Sequence, residues 1–193
     1  MAPFAKTGGL ADVCGSLPIA LSQLGHTVKV ILPFHRTVKV KNLKLEQKCE
    51  NFIIPLGNDA CKVRVLSCKT KHDVEVLFID APQYFDREGV YGTVEGDYPD
   101  NHERFSLFQK SCFVLLKKID FAPDILHCHD WQTGLIPVYA KTLYHDVTFF
   151  QKTKTVLTIH NLAYQGLFSV EALPVTGLSW DEFSIEKLEF YGK

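Results

Sequence analysis

The chain has 193 residues, 46% of them hydrophobic, and a formal net charge of −1 with acids and bases interspersed. That supplies an ordinary α/β core in one globular domain, and the near-zero charge argues against nucleic acid or an anionic membrane as the main partner. No apolar run has the length of a bilayer span, no signal-peptide h-region opens the chain, and six cysteines without a C-x-x-C pair point to free thiols in the cytosol.

The first informative segment is Lys6-Thr7-Gly8-Gly9-Leu10-Ala11-Asp12-Val13, a cation and two glycines directly before an amphipathic helix. Two glycines let a ligand approach the backbone, a helix start offers N–H groups without intrahelical partners, and Lys6 adds a full charge, so the pattern suits phosphate. A plain tight turn gives the same pattern. Leu10, Val13, Cys14, Leu17, Leu21 and Leu24 recur at helical steps, Gly25 stands at the expected C-cap, and Pro18 predicts a kink or a weakened hydrogen-bond ladder.

Thr27 to Leu32 reads as the first strand, closed by Pro33, and the lysine-rich stretch to Glu50 as a surface excursion. Lys62 to Leu66 alternates as a strand does, and Val74 to Ile79 is a nearly continuous apolar run ending at Asp80-Ala81-Pro82. Tyr84 to Asp100 is punctuated by Gly89, Gly92, Gly96 and Pro99 and carries four tyrosines and phenylalanines, which predicts a long aromatic loop. A helix follows through Phe105, Leu107, Phe108, Cys112, Leu115, Leu116 and Ile119. Next come a buried strand at Ile125 to Cys128, a helix over Thr133 to Leu143, and a strand over Thr155 to Ile159. Ser179-Trp180-Asp181-Glu182 has the capping-box form and predicts a final helix. The βαβα alternation predicts a Rossmann-like, mostly parallel sheet with helices on both faces and ligands at the carboxyl ends of the strands.

Two polar clusters stand at such ends. In His127-Cys128-His129-Asp130-Trp131 the two histidines point to one face and Asp130 falls at the strand-to-loop corner. His160-Asn161 ends the last strand and leads into Leu162-Ala163-Tyr164-Gln165-Gly166. Asp130 beside Trp131 suits sugar hydroxyls, or caps the helix near Thr133. His127 fits a histidine satisfied by a backbone carbonyl, Cys128 fits core, and Tyr91 and Tyr164 fit either ligand contact or packing. A metal site built from His127, His129, Asp130 and His160, with hydrolase chemistry, is the alternative.

Three ordered segments carry a resemblance: Ala2-Pro3-Phe4-Ala5-Lys6-Thr7-Gly8-Gly9-Leu10-Ala11-Asp12-Val13, His127-Cys128-His129-Asp130-Trp131, and Thr158-Ile159-His160-Asn161-Leu162-Ala163-Tyr164-Gln165-Gly166. Together with Asp80-Ala81-Pro82 and the Asp100-Asn101 to Arg104-Phe105 stretch, they make the chain resemble the bacterial glycogen synthases and plant starch synthases over essentially its whole length. The resemblance implies a GT-B fold of two Rossmann-like domains and transfer of glucose from ADP-glucose to the non-reducing end of an α-1,4-glucan with retention. Lys6, with Gly8 and Gly9, is then expected at the donor phosphates. Asp12, Tyr91, Asn161, Tyr164 and Gln165 are expected to bind sugar or acceptor. His160 is expected beside the transferred glucose and Asp130 at the substrate hydroxyls, so that the catalytic set is His160, Asp130 and Lys6. The resemblance implies no metal or other cofactor, and a cytoplasmic location in a bacterium or a plastid location in a plant or alga.

In this family a strand precedes the Ala-Pro at the start and a second, nucleotide-sugar-binding domain follows. Residues 1–193 are therefore expected to be the N-terminal Rossmann-like domain, shortened at both ends and lacking that C-terminal partner, with no transfer activity alone. The alternative is a non-catalytic glucan-binding module using Tyr91, Trp131 and Tyr164.

Overall fold

A computed structural model describes all residues except Thr7, Val40 and Asn42. The chain divides into two compact units, residues 1–52 with 62–98, and residues 53–61 with 99–193.

The first unit opens with α1 (Gly9–Gln23), followed by β1 (Lys29–Pro33), α2 (Arg36–Lys39) and β2 (Glu46–Gln47). The helix runs through Pro18, whose ring removes only the donor to the Cys14 carbonyl. Its end is a Schellman turn. Gly25 takes φ +89°, its N–H donates to Ser22 O, and the His26 N–H donates to Leu21 O. A hairpin follows, β3 (Phe52–Leu56) and β4 (Asp59–Lys69), turning at Gly57 with φ +60°. Residues 53–61, its tip, belong to the second unit.

β5 (Glu75–Asp80) lies between β1, which it pairs in parallel, and β4, which runs antiparallel, and β2 extends the sheet beyond β4. Flanked on both edges, β5 buries Val76, Leu77, Phe78 and Ile79 completely, which is why it reads as one apolar run. In β4 only Cys61, Val63 and Val65 are buried, hence the alternation. Phe4 and Phe34 close on Phe78 with ring centroids at 5.3 and 5.5 Å, in a core shared with Met1, Val38 and Val76. The stretch after Pro33 is therefore not simply a surface excursion, since Phe34, His35 and Val38 are buried. α3 (Pro82–Phe85) and the small antiparallel pair β6 (Gly92–Thr93) and β7 (Gly96–Asp97) structure the expected long loop. A Cβ at Gly92 would collide with Gly96 O, so the pair closes only around glycine.

The second unit is organised by α4 (Asn101–Lys118), with β8 (Ile125–His129), α5 (Ile136–Lys141), β9 (Lys154–Thr158) and α6 (Leu173–Thr176). Phe113 of α4 stacks on Tyr144 at 4.0 Å and meets Phe150 edge-on at 5.2 Å. The buried Lys110 ammonium donates to Pro55 O and Val175 O, tying the hairpin tip to α6. β8 and β9 pair in parallel, His129 facing Thr158. The α/β class expected from the sequence is borne out, with parallel pairs β1–β5 and β8–β9.

Three local expectations change. β8 is not a buried strand, because the β8–β9 ribbon is two strands wide and only Cys128 in it is buried. The helix expected from Thr133 is split into a 3-10 turn, Trp131–Thr133, and α5, which begins where Pro137 occupies its first turn. The final helix is a single 3-10 turn, Trp180–Glu182. Ser179 Oγ does accept from the Asp181 N–H, but the Glu182 carboxylate pairs with Lys187 at 3.0 Å instead of returning to Ser179.

Candidate functional site

Lys6, Gly8, Gly9, Asp12 and Tyr91 belong to the first unit; Asp130, His160, Asn161, Tyr164 and Gln165 belong to the second. Each group is built within its own unit.

At the start of α1, Gly8 is extended, with φ 177°, and no side chain caps the helix. A Cβ at Gly8 or Gly9 would meet nothing within 4 Å, so no described residue crowds the two glycines at the helix start, where an anion would approach. Lys6 Nζ donates to Asp12 Oδ1 at 2.8 Å, and both side chains are more than half exposed. The ammonium is thereby held beside the helix start. Thr7, between them, lies outside the described residues. Tyr91 is half-buried in the loop, its carbonyl accepting from the Tyr98 N–H at 2.9 Å.

In the second unit the ends of β8 and β9 bring three histidines and a carboxylate together. His127 and His129, two apart on one strand, stack with centroids 4.3 Å apart, and His129 stacks on His160 at 5.3 Å. His127 Nε2 lies 2.7 Å from Thr158 Oγ1, and His129 Nδ1 lies 3.0 Å from His160 Nε2. Burial, and then the neighbouring His127 and His160, push the His129 ring from its ordinary 6.5 down to about 4, so it is neutral at pH 7.

Asp130 turns the corner with φ +57°. Its N–H donates to Thr158 O at 2.9 Å, and its Oδ1 accepts from the His160 N–H at 2.6 Å. The carboxylate thus holds the neighbouring strand end and makes no cap on the Trp131–Thr133 turn. Thr133 Oγ1 fastens the same corner, accepting from the His129 N–H at 2.6 Å.

The loop after His160 folds on its own polar groups. Asn161 Oδ1 accepts from the Ala163 N–H, and Gln165 Nε2 donates to Leu162 O. Tyr164 is 67% exposed. Gly166, at φ +67°, lies against Trp131, where a Cβ would come within 2.7 Å of the indole. Trp131 is wedged edge-on between Phe105 and Phe168.

The sequence offered His129 only as a ligand of the alternative metal site and gave no role to Thr133 or Thr158, which shape this corner with it. The H-x-H spacing was the available signal for His129. Among the described residues no group of three or more His, Cys, Asp or Glu has a geometry that could hold a metal ion. The His127 and His129 nitrogens are turned to Thr158 and His160 instead. The six cysteines are free, and burial pushes the Cys128 thiol up to about 12, as expected of core. No helix among the described residues is long and apolar enough to cross a membrane.

A family model described as the starch synthase catalytic domain matches residues 1–193. The chain belongs to this family. Within the starch synthase family it is 46% identical to a glycogen synthase of Geotalea daltonii over 191 residues, 99% of this chain and 39% of that protein. It is 47% identical to a glycogen synthase of Koribacter versatilis over the same shares. The catalytic domain of starch synthase IV from Arabidopsis thaliana, bound to ADP and acarbose, superposes with a TM-score of 0.83 at 29% identity, over 97% of this chain and 38% of that one. The chain thus spans about two fifths of the length of these family members.

Proposed function

We propose that the protein carrying this chain is a retaining glucosyltransferase that moves glucose from ADP-glucose to the non-reducing end of an α-1,4-glucan. The observation that carries the reading is the match of the starch synthase family to every residue of the chain. Two local geometries agree with it: a lysine beside two uncrowded glycines at a helix start, and a histidine held by main chain and ring at a strand end. The ADP bound to the Arabidopsis relative is the nucleotide such a donor releases.

Lys6 and the amides at Gly8 and Gly9 meet the donor phosphates and stabilise the charge that builds as ADP departs. His160 lies beside the transferred glucose, and Asp130 orients the acceptor or donor hydroxyls. Asp12, Tyr91, Asn161, Tyr164 and Gln165 contact sugar or acceptor. The bond from glucose C1 to the ADP phosphate oxygen breaks while C1 bonds to the acceptor hydroxyl on the same face. The hydroxyl proton passes to the departing phosphate oxygen, giving ADP and a glucan longer by one glucose. This course retains configuration without a paired-carboxylate arrangement. The 193-residue chain alone is inactive on this reading, because its relatives are more than twice as long.

The test is incorporation of labelled glucose from ADP-glucose into glycogen by the full-length protein, its Lys6→Ala variant and the chain alone. Transfer by the unaltered protein and loss in the other two supports the proposal. Failure of the full-length protein with both ADP- and UDP-glucose overturns it. Calorimetric titration of the chain with a maltooligosaccharide then tests the remaining glucan-binding alternative.

A further inference from the structure

We infer that His129 is the positioning residue that orients the imidazole of His160, through the hydrogen bond between His129 Nδ1 and His160 Nε2. The inference rests on the proposal that His160 meets the transferred glucose.

The local geometry gives His160 two independent anchors. Its main chain is held by the Asp130 carboxylate at 2.6 Å and its ring by His129 at 3.0 Å. Main-chain anchorage alone leaves the ring free to rotate about its side-chain torsions. The second anchor removes that freedom. His129 is suited to the task because its main chain is held by the Thr133 hydroxyl at the last position of β8 and its ring is stacked against His127.

A hydrogen bond between two imidazole nitrogens needs one proton between them, so it fails if both atoms carry one. The groups facing the pair are His127, whose Nε2 is turned to Thr158, and the Asp130 carboxylate. Burial and the adjacent rings keep the His129 ring neutral, so it can share one proton with the nitrogen facing it. With Nε2 of His160 engaged, its Nδ1 is the ring atom left to meet a sugar hydroxyl. His129 thus sets the orientation of a residue it touches and ties that residue's tautomer to its own, without itself touching substrate.

The test combines two readouts. Histidine-ring NMR on the chain reports the tautomer of His160, and steady-state kinetics of the full-length protein report kcat and KM for the glucan. In the unaltered chain a single His160 tautomer is expected. In His129→Leu the ring is released to a mixture of tautomers, and kcat falls about ten- to a hundredfold with little change in KM, as misplacement of a reacting-site group does. In His129→Asn, whose amide reaches the position of Nδ1, the single tautomer and most of kcat return. A mixture of tautomers in the unaltered chain overturns the inference without any variant. So does a folded His129→Leu with unchanged tautomer and kcat, or a His129→Asn no better than His129→Leu. If the unaltered full-length protein transfers no glucose, the functional proposal falls, and the NMR result still decides whether His129 holds His160.

Discussion

The Asp130 carboxylate accepts the His160 main-chain N–H at 2.6 Å, across the ends of two parallel strands. The first residue after β8 thereby fixes the second residue after β9. Because Asp130 sits at φ +57°, its side chain swings back over the strand ends instead of continuing along β8.

This link makes Asp130→Ala and Asp130→Asn separable. Asparagine keeps an acceptor oxygen and alanine loses it, while the backbone at φ +57° and ψ −175° strains both side chains alike. Glucosyl transfer by the full-length protein is expected to fall about ten- to a hundredfold in Asp130→Ala and distinctly less in Asp130→Asn. Equal losses would show that transfer depends on the carboxylate charge and not on the bond to the His160 main chain.

The His129 ring carries a pH signature. Its folded value is pushed down to about 4 from 6.5 by burial, then by His127 and His160. The unfolded chain therefore binds more protons between those values, and stability falls as pH drops from 6.5 to 4. The size is on the order of 1–3 kcal/mol for a half-buried ring. Denaturant melts of the chain at pH 7 and pH 4.5 should show this loss, and His129→Leu should show a shallower one.

Gly166 is predicted to be intolerant of any side chain. It combines φ +67° with a Cβ position 2.7 Å from the Trp131 ring, and neither Phe105 nor Phe168 leaves the indole room to retreat. Gly166→Ala should cost about 1–3 kcal/mol by overpacking and backbone strain. Thermal unfolding monitored by tryptophan fluorescence reads both the loss and the altered Trp131 surroundings.

Lys6→Ala is expected to behave in the opposite way. The Lys6–Asp12 pair is exposed by 58% and 56% on its two side chains, and exposed pairs contribute little to stability. The melting temperature should stay unchanged while the KM for ADP-glucose rises and turnover drops. A lowered melting temperature would reveal a structural role for this lysine instead.

Much of the framework was legible in the residues. Leu10 through Leu24 at helical steps with Gly25 behind them gave α1 and its Schellman end, and the apolar run from Val74 to Ile79 gave the central strand β5. Such features depend on local periodicity and backbone preference, which a sequence states outright. The capping-box pattern at Ser179 misled because Glu182 found Lys187, a competitor that the four-residue motif does not contain. The hairpin from Phe52 onward was missed in part because Pro55 interrupts a short run that tertiary pairing with β4 overrides.

By itself the sequence determined the α/β class, the family and the identity of the polar residues at the strand ends, since these follow from residue type and spacing. Only the tertiary structure decided what those residues do to one another. Asp130 turned out to hold His160 rather than cap its own turn, and His127 and His129 faced Thr158 and His160 rather than a common point. The partners lie about thirty residues apart in the chain and meet only through the register of β8 on β9, which places His129 opposite Thr158. Register is set by the packing of whole strands, and no local pattern encodes it.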